Sequence, residues 1–153
     1  REHYDESAYI EAGDRPVALD LPFGRVALSI CYDLRFPELY RALAPVDLIL
    51  VPAAFTDTTG QAHWEILLRA RAIENQCYVL GVGQGGVHES GRVTHGNSMI
   101  VDPWGEILDR CDKGSGMVMA GLDPERLRQV RQSLPALEHR KLQPLPTNRK
   151  AGQ

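Results

Sequence analysis

The chain has 153 residues, 43% of them hydrophobic and 24% charged, with a formal net charge of -3. Those proportions fit one globular domain with a real core and leave no basic footprint for a nucleic-acid partner. No apolar run approaches the roughly 18 residues that span a membrane, and the opening REHYDESAY, which lacks a methionine, holds no apolar signal core.

Residues 1–14 are polar and turn-rich, with Glu2, Asp5, Glu6 and Glu11 crowded into what reads as a solvated face. Val17, Leu19 and Leu21 alternate with Ala18 and Asp20, which predicts a half-buried strand over 17–21. Pro22-Phe23-Gly24 closes a hairpin onto a second β-rich run from Arg25 to Ile30. Pro37 then suits the first turn of a helix, and Leu39, Ala42 and Leu43 give that helix an apolar stripe. Cys31 falls between strand and helix. A side chain there stands at the carboxyl end of a strand, where open α/β sheets bind ligands, and the arrangement is that of a nucleophile elbow. A lone cysteine is more often a small buried hydrophobe. The polar flanks Tyr32, Asp33 and Arg35 oppose a core position, so the residues alone leave both readings open.

Val46 to Val51 is a continuous apolar run that predicts a strand buried on both faces, stopping at Pro52. A small-residue loop over 53–60, carrying Phe55, should flank the same crevice as Cys31. Ala62, Ile66, Leu67, Ala70 and Ile73 mark a helix over 61–75, supported by the Glu65 and Arg69 pair. His63, Trp64 and Glu65 cluster at its first turn, where the plain expectation is that Trp64 packs. Cys77 to Gly83 reads as a buried strand. Residues 83–96 are glycine-rich without a phosphate-cradling pattern, and read as a hairpin or lid near the crevice. Ser98 to Val101 and Glu106 to Arg110 pair across a turn at Asp102-Pro103-Trp104-Gly105. Gly116 to Leu122 is expected to be a further strand. Asp123 N-caps a helix with Pro124 at its first position, ended by Pro135. The remainder, with His139, Arg140 and Lys141, reads as an extended tail. Strand pairs interleaved with helices predict an α/β layered domain over 1–134, followed by the tail at 135–153. The three cysteines, Cys31, Cys77 and Cys111, form neither a disulfide framework nor a zinc set, as expected of reduced thiols in the cytoplasm. A cysteine-phosphatase loop is a poor fit, because Pro37 stands where C-x5-R needs its arginine.

The stretches CYDLRFPELYRAL, TTGQAHWEILLRARAIENQCYV and SMIVDPWGEIL, in that order, resemble the nitrilase superfamily of carbon–nitrogen hydrolases. Within it, HWEILLRARAIENQCYV followed by GQGGVHESGR is more similar to deaminated-glutathione amidases than to ω-amidases. The resemblance implies a four-layer αββα sandwich, of which this chain would be a C-terminal portion. It also implies homodimers or larger assemblies built through helices such as 61–75, with tails that cross onto a neighbouring subunit. Cys31 matches the family's nucleophile, Glu6 stands in the place of a supporting carboxylate, and the backbone N–H of Tyr32 would be an oxyanion donor. Phe55, His63 and Trp64 are pocket-wall candidates by position. The implied reaction is hydrolysis of a small carboxamide through a thioester, with no metal or organic cofactor. An ordinary thiol, with a pKa near ~8.5, needs an adjacent base at neutral pH. The family's base glutamate and its lysine lie upstream of the cysteine. Only thirty residues precede Cys31 and none is lysine, while Lys113, Lys141 and Lys150 all follow it. The chain alone is therefore expected to be inactive. The alternatives are an ω-amidase or carbamoylase of the same superfamily, or a catalytically silent domain that keeps the fold.

Overall fold

The computed structural model describes residues 6–142. After a short 3-10 helix at Glu6–Ala8, strands β1 (Val17–Leu21) and β2 (Gly24–Leu28) form an antiparallel hairpin with Leu21 opposite Gly24. Gly24 has φ +143°, and a Cβ there would lie 2.7 Å from Asp47 Oδ2. That carboxylate accepts the Arg25 N–H at 2.8 Å, so the turn leaves no room for a side chain.

A 3-10 helix at Cys31–Arg35 leads through Phe36 into α1 (Pro37–Leu43). Then follow β3 (Leu48–Ala53), α2 (Asp57–Asn75) and β4 (Tyr78–Gly83). A small hairpin, β5 (Gly85–Val87) and β6 (Val93–His95), stands apart from the main sheet. The chain returns as β7 (Ser98–Val101) and β8 (Ile107–Cys111), and the last element among the described residues is α3 (Pro124–Ser133). The six-stranded sheet has the order β1-β2-β3-β4-β7-β8. Strands β2, β3 and β4 are mutually parallel, while β1, β7 and β8 run antiparallel to their neighbours.

Register decides the two faces. Ala18, Ala27, Ile49, Val79 and Val101 lie side by side across five strands and therefore share a face. On that face Leu34, Tyr40, Leu43, Trp64, Leu68 and Ala72 close the main core. On the other face Leu127 of α3 covers Val26, Leu48 and Tyr78. Asp123 accepts the Glu125 N–H at 2.9 Å and Pro124 opens α3, as the sequence led us to expect.

Four expectations need correction. Strand 17–21 forms, but Val17, Leu19 and Leu21 are 46%, 45% and 40% exposed, while Ala18 packs against the core. They lie on the α3 side of the sheet, and α3 caps only the neighbouring strands. The third strand passes through Pro52 to Ala53. Leu50 O accepts the Ser29 N–H, so the main chain at Leu50, and two residues on at Pro52, turns toward β2. Since β2 has ended at Leu28, the missing N–H of Pro52 costs no ladder bond. Residues 57–60 are the first turn of α2 rather than loop, and the Gln61 side-chain amide donates to Asp57 Oδ2 at 2.7 Å. Residues 116–122 carry no strand, because no neighbour supplies a ladder beside them among the described residues.

Candidate functional site

Cys31 occupies a strained bend. The parallel pairing continues one residue past β2, where Ser29 N–H and Ser29 Oγ both donate to Leu50 O, at 3.1 and 2.9 Å. Asp33 then closes the turn. Its Oδ2 accepts the Ile30 N–H at 2.8 Å, and its own N–H donates to Ile30 O at 3.0 Å. This local side-chain bond competes with continued strand. Between these anchors Cys31 adopts φ +47°, in the left-handed region that costs a non-glycine residue of order 1–3 kcal/mol. The thiol-bearing residue is half-buried, with exposed Ile30 and Tyr32 on either side. Cys31 packs against the main core from this half-buried place, and its left-handed backbone is what sets it apart from an ordinary core cysteine.

Because β2, β3 and β4 are parallel, their carboxyl ends bring the Cys31 turn, the Phe55 loop and the β5–β6 hairpin to one end of the sheet. Arg35, which the sequence offered only as a polar flank, lies at the centre of the group. Its Nη1 is 3.1 Å from His63 Nδ1, and its guanidinium lies 5.1 Å from the Phe55 ring centre and 5.7 Å from that of Tyr32. Phe55 leans on Trp64 with ring centres 5.0 Å apart, and the Trp64 indole donates to Asn97 O at 2.7 Å. Phe55 and Trp64 are 6% and 1% exposed and belong to the core. They support the cation, whereas His63 is open to solvent. The signal for Arg35 was its place four residues after the cysteine in a polar turn.

The hairpin is latched to the loop after β3. Arg92 Nη2 donates to Ala54 O at 2.7 Å, His95 N–H to Phe55 O at 2.9 Å, and Thr56 bridges Thr94. Asp57 ties three segments together, meeting Lys113 Nζ at 2.8 Å, His95 Nδ1 at 3.2 Å and Gln61. Those three partners, Lys113 first, hold its carboxyl down at about 2. Lys113 is thus engaged with Asp57. Glu6 falls in the short helix at the start of the described residues, and its side chain and Lys150 lie outside them. A cavity of about 400 Å³, lined by Ala44, Gln76, Arg131, Leu137 and Arg140, opens at the amino ends of the strands, away from Cys31. Among the described residues no group of His, Cys, Asp and Glu is placed to hold a metal ion, and no helix is long and apolar enough to cross a membrane.

Fold and turn together define a class: α/β proteins that present a cysteine where a strand of a mixed sheet bends toward a helix. The chain belongs to the carbon-nitrogen hydrolase family, whose profile matches residues 1–132. It is 52% identical over 141 residues to the deaminated glutathione amidase of Synechocystis, an alignment covering 90% of this chain and 52% of that protein. The chain thus spans about half the length of the curated relatives it matches. Its fold superposes on the Caenorhabditis elegans NitFhit protein with a TM-score of 0.84 at 45% identity, covering 89% of this chain and 34% of that one. The amidase of Nesterenkonia, solved with an acetamide moiety covalently added at its active-site cysteine, matches with a TM-score of 0.64 at 32% identity, covering 72% of this chain and 42% of that one.

Proposed function

We propose that this chain is the cysteine-bearing part of an amidase that opens a small carboxamide through a thioester. The observation that carries the reading is Cys31 at φ +47°, half-buried where β2 ends. In this reaction the Cys31 sulfur, its proton taken by a base, attacks the amide carbon. The Tyr32 N–H steadies the oxyanion, and the C–N bond breaks as that proton passes to the departing amine. Water then cleaves the thioester and frees the carboxylic acid. Glu6 is assigned as the supporting carboxylate. The base glutamate and the lysine have no counterpart upstream of Cys31 in this sequence, so we assign them to residues outside it, and the four-layer sandwich needs a second sheet against the α3 side of this one.

Deaminated glutathione is the proposed substrate, on the strength of the Synechocystis relative. Arg35 would pair with one of its carboxylates, while His63 and Phe55 fix the guanidinium in place. The reading extends to a homodimer through the outer face of α2, where Ile66 and Ile73 are 68% and 51% exposed, and to a cytoplasmic setting consistent with three free cysteines. The deciding assay measures the amine, cysteinylglycine, released from deaminated glutathione. The chain alone should show none. Mixed with the lysine-bearing N-terminal half of a relative it should turn over, and Cys31→Ala should abolish that. Activity surviving Cys31→Ala, or a complemented protein that stays silent, overturns the reading.

A further inference from the structure

Two buried polar groups grip the Cys31 turn from either side, and no step of the chemistry above uses them. Arg71 projects from α2 on the stripe otherwise formed by Trp64, Leu68 and Ala72, and is only 5% exposed. Its Nε and Nη2 both donate to Leu34 O, at 3.1 and 2.7 Å, and its Nη1 donates to Glu74 Oε1 at 2.9 Å. On the other side, fully buried Tyr40 donates its hydroxyl to Ser29 Oγ at 3.0 Å, and Ser29 Oγ donates onward to Leu50 O. Burial pushes the Tyr40 hydroxyl up to about 12, so it stays a donor across the neutral range. The Arg71 guanidinium lies 5.4 Å from the Tyr40 ring centre, which joins the two grips. The turn is thus held at Ser29, two residues before Cys31, and at Leu34, three residues after it.

A buried guanidinium costs more than an apolar side chain of the same size unless its fork is used. Here the fork fixes one carbonyl inside the turn whose backbone is strained. We propose that Arg71 is a positioning residue for Cys31: its two-pronged hold on Leu34, braced against Tyr40, keeps the thiol and the Tyr32 N–H in register for attack on a carbonyl. This rests on Cys31 being the nucleophile.

The test uses the chain assembled with the lysine-bearing N-terminal half of a relative, and two reagents, with modification resolved cysteine by cysteine by mass spectrometry. 4-Nitrophenyl acetate acylates a thiol through an oxyanion, whereas iodoacetamide alkylates it without one. Arg71→Met should lower acylation of Cys31 about tenfold relative to its alkylation, a fraction of what a lost oxyanion donor costs. Arg71→Lys, which keeps the charge but not the fork, should fall between. Cys77, fully buried with its thiol pushed upward by burial, reports global unfolding. An unchanged acylation-to-alkylation ratio overturns the proposal. So does modification of Cys77 in both variants, which would assign Arg71 to the fold at large. A wild-type Cys31 inert to both reagents overturns the nucleophile reading, and this one with it.

Discussion

Cys31 is held at φ +47°, where glycine would rest without strain. Cys31→Gly should therefore raise stability by roughly 1 kcal/mol over Cys31→Ala, the strain relieved less the added freedom of the unfolded chain. Urea midpoints of the two variants measure the difference. Asp57 gives a pH prediction. Its carboxyl is held at about 2 by Lys113, His95 and Gln61, below the unfolded value near ~3.9. A depressed acid stabilises the fold fully above its unfolded pKa and loses that contribution as pH falls toward its folded one. Stability should thus decline between about pH 4 and pH 2, and Asp57→Asn should flatten that limb in acid titrations followed by circular dichroism. Glu65, lowered first by its hydrogen bond to Arg110, shifts in the same direction.

Among the elements, α2 shows how tightly the crevice end is packed. A Cβ on Gly60 would lie 2.3 Å from His95 Cβ, so Gly60→Ala drives its first turn into β6. The loss should be about 1–3 kcal/mol despite alanine's better helix propensity. His95→Ala in the same chain should restore much of it, which a double-mutant cycle on melting temperatures reads directly. The elements whose signals are local were legible in the residues: the β1–β2 hairpin from alternation and its turn, β4 from its apolar run, α3 from Asp123 and Pro124. The opening of α2 was hidden, since Asp57-Thr58-Thr59-Gly60 reads as loop until Gln61 bonds back to Asp57. Residues 116–122 have a strand's alternation, but a strand exists only beside a partner, and sequence pattern does not say where that partner is. At the candidate site, the bend at Cys31 was legible from the strand and Pro37 on either side of it. Arg35 and Arg71 were not, because their roles depend on Phe55, His63 and Leu34, distant in the chain. The available clue for Arg71 was an arginine on an apolar stripe.

Among the described residues one side of the sheet is sealed, and the other is covered only in part, by α3. Helices α1 and α2 seal one face, while Val17, Leu19, Leu21 and Val82 remain 46%, 45%, 40% and 48% exposed on the other. An apolar surface of that kind favours association. The isolated chain should bind a hydrophobic dye and self-associate in sedimentation experiments. Leu19→Lys should reduce both with little change in melting temperature, yet weaken assembly with an N-terminal half. The left-handed bend has an evolutionary consequence too. In a lineage released from chemistry, drift would replace this cysteine with glycine or asparagine, since either sits at that backbone angle with less strain. A cysteine that persists there against that pull marks a gene whose product is still being selected for its sulfur.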